Sequence, residues 1–318
     1  MRQHRMVVSD EAWAWMEPLL PSSTGRRGGR WRDHRQVIEA ISWKYRTGSP
    51  WREVPEHFGP WQTAYERLTR WSADGTWARL LARAQADADA AGELDWLVAA
   101  DSTVVRVHQH GASARRVGGN AATRRTPPTT TRRAAGTRIS DPAGADSATE
   151  VAVVEPGDHA IGRSRGGLTT KVHALTDGHG RALVFLLTGG NISDTTMFAP
   201  LLAALRVARA GPGRPRTRPE YVVADKGYSS RANRTLLRRR GIAHTIPEPR
   251  DQQANRRRKG SAGGRPVGFD KVRYARRNVV ERGFCQVKQW RGLATRYGKH
   301  ARHDAGALTL AALLTWLP

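Results

Sequence analysis

Between Ser9 and Ala91 apolar residues recur every three or four positions, the spacing that lines one face of a helix. Ser9 is placed to cap a helix carrying Trp13, Met16 and Leu20, which Pro21 stops. Arg26 to Arg30 make a basic, Gly-rich loop. Asp33 caps a second helix whose Val37, Ile38, Ile41 and Tyr45 share a face, and Gly48 and Pro50 end it. Trp51 to His57 reads as a short helix, Phe58-Gly59-Pro60 as a tight turn, and Trp61 to Ser72 as a helix with Ala64, Leu68 and Trp71 inward. Residues 76 to 91 make the last helix of this region, and nine of the chain's 11 Trp residues, from Trp13 to Trp96, supply bulk for its core.

After Leu94 the pattern changes. Leu97, Val98, Val104, Val105 and Val107 mark a strand through Gln109, with Asp101 directly behind an apolar run. Residues 111 to 160 are rich in Arg, Thr, Ala, Gly and Pro and too poor in large apolar groups to order themselves, so a disordered insert is expected there. Leu168 to Thr176 and Ala182 to Thr188 form a hairpin around Asp177-Gly178-His179-Gly180. Thr195 to Ala210 is a helix, with Asp194 read as its cap in preference to a metal ligand. Tyr221 to Ala224 is a short strand ending in Asp225, Arg231 to Arg240 a helix, and Gly241 to Ile246 a strand. Arg256-Arg257-Arg258-Lys259 reads as a charge run in a Gly-rich loop.

Composition narrows the class. Lys and Arg total 53 against 28 Asp and Glu, a net charge of +25 spread over nearly the whole length, which favours a polyanion partner: nucleic acid, or second an anionic membrane. No apolar run reaches the ~18 residues of a membrane span. Ala305 to Leu317 is therefore a core helix, with Asp304 read as its cap. Met1 to Asp10 lack an apolar signal core, and the single cysteine, Cys285, excludes an internal disulfide and a cysteine zinc site, so a cytoplasmic location is expected. Cys285 itself reads as an inert thiol rather than a nucleophile.

Two patterns carry candidate chemistry. Tyr274, Arg277, Glu281 and Lys288 stand at offsets 0, 3, 7 and 14, which on one helix fall within an arc of roughly 60°, with Val272, Val279, Val280, Val287 and Trp290 on the other side. This is either an amphipathic helix with an ordinary Arg277–Glu281 pair or an acid held among cations. Asp101 is likewise either a turn acid or a buried carboxylate needing a cation. His108 and His110 share a strand face opposite in parity to Asp101 and are not read as ligands. In the first region, helix, Gly-containing turn and helix outline a helix-turn-helix whose second helix presents Gln62, Thr63, Glu66, Arg67 and Arg70; a plain helical bundle with a charged face fits the same pattern.

The spacing Tyr274-x2-Arg277-x3-Glu281-x6-Lys288 resembles the C-terminal motif of bacterial insertion-sequence transposases of the insertion-sequence-four and -five families, whose Glu closes an Asp-Asp-Glu triad. Asp101-Ser-Thr with Arg106, His108, Gln109 and His110 resembles their first catalytic strand, Asp225-x-Gly-x-Tyr228 their second motif, and Gly48 to Trp77 their N-terminal domain. The resemblance covers nearly the whole chain except 111 to 160, a stretch read either as an extended loop or as a segment translated out of frame. It implies an α/β chain: a helix-turn-helix-like DNA-binding domain over 1 to 95, then a ribonuclease-H-like catalytic domain, a mixed sheet with flanking helices, over 96 to 318. It implies Asp101, Asp225 and Glu281 as ligands of two Mg²⁺, with Mn²⁺ as substitute. Tyr274, Arg277, Lys288, Arg163, Arg165, Gln62, Arg67 and Arg70 are the expected contacts to double-stranded DNA, both element ends and target, bound by a homo-oligomer in the nucleoid. Cleavage followed by strand transfer is the expected activity; a nuclease that cuts without joining, or a decayed transposase that only binds DNA, are the alternatives.

Overall fold

The Ser9 hydroxyl accepts the Ala12 N–H at 3.0 Å and opens α1, Asp10–Met16, which tightens into a 3-10 turn before Pro21. The Asp33 carboxylate accepts from Arg35 N and opens α2, His34–Thr47, and Gly48 ends it in the left-handed conformation, φ 75°. The next expected helix does not form: Pro55 divides 51–58 into two 3-10 turns, Trp51–Glu53 and Glu56–Phe58. A helix-turn-helix made from 51–72 therefore lacks its first helix. Gly59, φ 80°, turns the chain into α3, Trp61–Ala73, followed by α4, Thr76–Ala90. Ala64, Leu68 and Trp71 of α3 are buried as expected, and Trp71 meets Trp77 edge to face at 5.0 Å.

The computed structural model describes residues 7–22, 31–115 and 155–318. The expected basic loop at Arg26 to Arg30 and most of the expected insert, 116–154, lie outside the described residues. The margins of that insert are structured: α5, Gln109–Ala112, follows the first strand, and Glu155 accepts the Ala301 and Arg302 N–H groups.

Among the described residues, seven strands form one mixed sheet. β1, Leu97–Val107, is central. β2, Gly162–Ser164, β3, Gly167–Thr176, and β4, Ala182–Gly189, are joined antiparallel to one another and to β1 through β3. On the other side β5, Tyr221–Ala224, runs parallel to β1, and β6, Ala243–Thr245, parallel to β5. Two helices separate these strands: α6, Asp194–Ala204, shorter than expected, and α7, Arg231–Arg239. The basic run 256–259 is no loop. It ends α8, Arg250–Arg258, a helix with no buried residue.

The expected single helix over 274–288 is divided. α9, Lys271–Ala275, and α10, Asn278–Lys288, meet at a tightened turn where Val279 N and Val280 N bond back to Arg276 O and Arg277 O. Arg276 is tied to Asp95 and Arg277 to Asp101, which holds the turn. Val272 is 82% exposed, not buried, whereas Val279, Val280 and Phe284 enter the core. α11, Arg291–Ala294, and β7, Thr295–Arg296, a short strand parallel to the end of β1, lead to α12, Ala301–Leu313. Asp304 does not cap that helix. It is 6% exposed and pairs with the buried Arg296 at 2.6 Å. α12 packs on α3, α4 and β4, so the last helix joins the N-terminal helices to the sheet within one apolar core. Among the described residues no helix is long and apolar enough to cross a membrane.

α10 is seated on the β3–β4 turn by two glycines: Gly180, φ 90°, and Gly283, where an added Cβ would stand 2.6 Å from the Gly180 carbonyl oxygen. Backbone cannot retreat as a side chain can. Gly283→Ala is therefore expected to cost about 1–3 kcal/mol and to lower the thermal midpoint, read by a circular-dichroism melt.

Candidate active site

The parallel pairing of β1 and β5 ends at Ala100↔Ala224, so Asp101 and Asp225 are the next residues on neighbouring strands, which run ~4.8 Å apart. β1 continues beyond Asp101, while at Asp225 the chain leaves the sheet: its Oδ1 accepts the Gly227 N–H at 2.8 Å and opens a 3-10 turn, Lys226–Tyr228. From α10, Arg277 donates to Asp101 Oδ2 at 3.1 Å and to Glu281 Oε1. One guanidinium thus links the first and third of the predicted acids, and the second lies beside the first. The sheet and α10 therefore bring together Asp101, Asp225, Glu281 and Arg277 from distant parts of the sequence.

Burial pushes the Asp101 carboxyl up to about 6, and Asp225 and Glu281 push it the same way; the Ser102 N–H and Arg277 oppose them. Arg277 is held above its ordinary value by Glu281 and Asp101 against the desolvation that lowers it. Tyr228, 1% exposed, faces the same acids, and burial with Asp194, Asp101 and Asp225 raises its phenol. These oxygen donors, carboxylates with one compensating cation, suit a hard divalent ion.

Asp194 is not the cap of α6. It is the first residue of that helix, and Ser193 precedes it without a side-chain bond. Its Oδ1 accepts from Ser102 Oγ at 2.6 Å and forms an ion pair with Lys171 Nζ at 3.1 Å, while Lys171 donates to the Ile192 carbonyl at 2.8 Å; His173 Nδ1 lies at 3.6 Å. Sequence reasoning missed the parts played by Ser102 and Lys171. Neither carries a local signal, because their partner Asp194 comes from a distant helix. His108 and His110 stay out of the acidic group, stacked on each other and, for His108, on Tyr297.

The expected DNA contacts divide. Gln62 and Arg70 are exposed on α3, and Arg163 and Arg165 are exposed at the β2–β3 hairpin. Arg67 is not outward. It is 6% exposed, stacked 4.4 Å over Trp31 and 5.2 Å over Trp71, and bonded to His34 Nδ1 at 2.8 Å. Tyr274 is half-buried against Phe269. Lys288, expected to have only an external partner, reaches the Val104 carbonyl at 3.4 Å.

Comparison with known proteins supplies the family. Residues 92–316 match the family described as "Transposase DDE domain", and residues 8–81 the one described as "Putative transposase of IS4/5 family". The chain belongs to the DDE transposases of the IS4/5 type. It is similar to the "Putative transposase for insertion sequence element IS402" of Burkholderia cepacia, 33% identical over 161 residues, 50% of this chain and 68% of that protein. It is also similar to "Uncharacterized protein y4sN" of Sinorhizobium fredii, 37% identical over 118 residues, 37% of this chain and 90% of that one. No solved structure matches. A transposase of this family is a DNA-acting enzyme that uses divalent metal, and the acidic group lies within the matched domain.

The pH dependence has a defined sign. The folded chain keeps the Asp101 proton up to about 6, whereas the unfolded chain releases it near ~3.9. Stability from this group is therefore present at low pH and lost as pH rises through the folded value. Without divalent metal, Asp101→Asn is expected to melt like wild type only near about pH 3, below both values, to gain on it as pH rises from about 4 to 6, and to be more stable by about 2 kcal/mol near about pH 7.5. Added Mg²⁺ should raise the wild-type midpoint more than that of the variant.

The two arginines of α3 should separate. Arg70→Ala is expected to weaken DNA binding and to reduce the slope of log affinity against log salt by about one. Arg67→Ala should instead cost about 2 kcal/mol of folding stability through lost stacking. Salt titrations beside thermal melts check both.

Proposed function

We propose that this insertion-sequence transposase cuts the phosphodiester at the element ends and joins the freed 3′-hydroxyl to target DNA. The observation that carries the proposal is that Asp101 has Asp225 beside it on the neighbouring strand end and is tied to Glu281 through Arg277, at the point where β1 and β5 part. The strand arrangement β4-β3-β1-β5-β6, three antiparallel strands followed by two parallel ones, supports a ribonuclease-H-like reading of the catalytic part, 96–318. Residues 1–95 then act as the helical DNA-binding part, closed from behind by α12.

In this reading Asp101, Asp225 and Glu281 would hold two divalent ions, Mg²⁺ with Mn²⁺ as substitute, which would supply activation of the attacking oxygen and stabilisation of the leaving oxygen of an in-line displacement at phosphorus. Asp101 is already partly desolvated, so its charge is expensive until a cation is near. Arg277 supplies that compensation in the protein alone, through its contacts with Asp101 and Glu281, and stands where a bound phosphate would come near. Asp101 accepts the Ser102 N–H and Asp225 the Gly227 N–H, each at 2.8 Å, which orients the two carboxylates. Water attacks phosphorus and the bond to the element's 3′ oxygen breaks; the 3′-hydroxyl so released then loses its proton and attacks a target phosphorus, and the target's own bridging 3′ oxygen leaves.

A basic surface supports the path of DNA. The exposed part of β1 runs from Asp101 past Val104, 46% exposed and bonded to Lys288, to Arg106. Arg163 and Arg165 extend it at the hairpin, and α8 adds Arg250, Arg257 and Arg258 on a helix with no buried residue. Two element ends and a target need more than one such surface, which favours a homo-oligomer on DNA.

Glu281→Gln keeps shape and removes charge. It is expected to abolish cleavage with Mg²⁺ or Mn²⁺ while end-DNA affinity stays within about 2-fold, since Gln still accepts from Arg277. A cleavage assay beside a binding titration reads both, and cutting at the wild-type rate removes Glu281 from the site. Pre-cut ends then test joining: a wild-type chain that cuts but never joins is a nuclease.

A further inference from the structure

A second group of ligand-type side chains stands away from the acidic centre. Glu155, His159 and His300 each offer an atom within 4.8 Å of the others. β1 links the two places: Val107, paired with Arg296 of β7, lies six residues beyond Asp101, ~20 Å along the strand. His300 follows four residues after Arg296, immediately before α12.

The proton arithmetic at His159 is the observation that points to a cation. Its Nε2 faces the Arg115 carbonyl at 3.2 Å, and its Nδ1 faces Glu155 Oε1 at 2.6 Å. Both ring nitrogens face acceptors, yet a neutral imidazole has one N–H. Whichever nitrogen carries that proton, the other presents its lone pair to an oxygen acceptor. Only a proton or a metal ion between them makes the contact favourable. Nearby, His300 Nδ1 is buried, has no hydrogen-bond partner and lies 3.9 Å from the same Oε1.

The surroundings match what holds metal ligands in place. Metal-bound histidines usually donate their other N–H to a backbone carbonyl or carboxylate, and the Arg115 carbonyl stands 3.2 Å from His159 Nε2 in the place to accept it. The Glu155 carboxylate is fixed by Ala301 N at 2.7 Å and Arg302 N at 2.9 Å, with Arg302 Nε 4.0 Å from Oε2. His159 and Ala160 adopt left-handed backbone, φ 53° and 52°, which costs of order 1 kcal/mol each and returns the ring toward Glu155. Two ligands each ~2.1 Å from a tetrahedral ion stand ~3.4 Å apart. The observed 2.6 and 3.9 Å bracket that spacing.

We propose that Glu155, His159 and His300 bind a divalent transition ion of the zinc class, with water as fourth ligand. Two imidazoles and one carboxylate select such an ion over Mg²⁺. Its place gives it a structural part. The chain at Arg115 and the chain at Glu155, on the two sides of 116–154, would both be fastened to the start of α12, the helix that packs on α3 and α4.

The test uses the full chain, stripped with chelator, in the Glu281→Gln background so that the acidic centre competes less. Zinc added to this protein is expected to remain after dialysis at one per chain by elemental analysis and to raise the melting temperature. Cobalt should give the visible absorption bands of a four-coordinate, imidazole-bound ion, a reading that needs no further variant. His159→Gln and His300→Gln should each lower zinc affinity by more than about 10-fold. His303→Gln, whose ring bonds Thr69 instead, should keep the affinity. Failure to retain zinc, or an octahedral cobalt spectrum, overturns the proposal and leaves His159 an imidazolium paired with a helix-capping Glu155. Equal zinc retention in folded His159→Gln and His300→Gln chains overturns it as well.

Discussion

Asp101 and Asp225 are neighbours because two parallel strands end in register, and two carboxylates at that spacing repel. Burial makes the repulsion worse, as the raised pKa of Asp101 shows. Arg277 offsets it by bonding Asp101 and Glu281 at once. The cost falls on local order: α9 and α10 do not merge into one helix, because consecutive arginines at the junction are held by Asp95 and Asp101. A site poised in this way is destabilised without a cation and stabilised with one, which is the condition a metal-using DNA enzyme needs.

The position of α10 follows from the same constraint. Its apolar face, Val279, Val280 and Phe284, fixes the helix in the core, while Gly283 and Gly180 set how near it comes to the β3–β4 turn. Glu281 is then presented at the surface beside Arg277, and Lys288 at the far end rests on β1. On the other side, Asp194 is engaged by Ser102 and Lys171, with His173 fully buried behind. Residues adjacent on β1 therefore serve separate networks, Asp101 with α10 and Ser102 with α6.

A second buried ion pair, Arg296–Asp304, does comparable work between the sheet and α12. Arg296 also donates to Thr170 Oγ1 at 2.6 Å and to the carbonyl oxygens of Ala160 and Lys299, so its guanidinium is satisfied without water. Breaking such a pair leaves an uncompensated buried charge, which is far more costly than the pair is stabilising. Through it the end of the chain returns to the N-terminal helices, and these helices and the sheet share an apolar core.

Local chemistry in the sequence determined much of this. Ser9 and Asp33 cap their helices, Gly48 ends α2, and Asp177 to Gly180 turn the hairpin, because each of these depends on neighbours a few residues away. The three acids could be singled out as candidates, two from their place at apolar strands and Glu281 through the resemblance of the Tyr274-to-Lys288 spacing to a transposase motif, but only the fold sets Asp225 beside Asp101 and ties Glu281 to it through Arg277. The failures share a cause. Arg67 lies on the expected helix but is drawn inward by Trp31 and His34; Asp194 and Asp304 look like caps but answer to Lys171 and Arg296. In each case a charged group found a partner brought near only by folding, and in a low-dielectric setting that partner outweighs the local preference. The division at Arg276–Arg277 and the joining of Glu155 and His159 with His300 were settled in the same way, by contacts between segments that periodicity cannot relate.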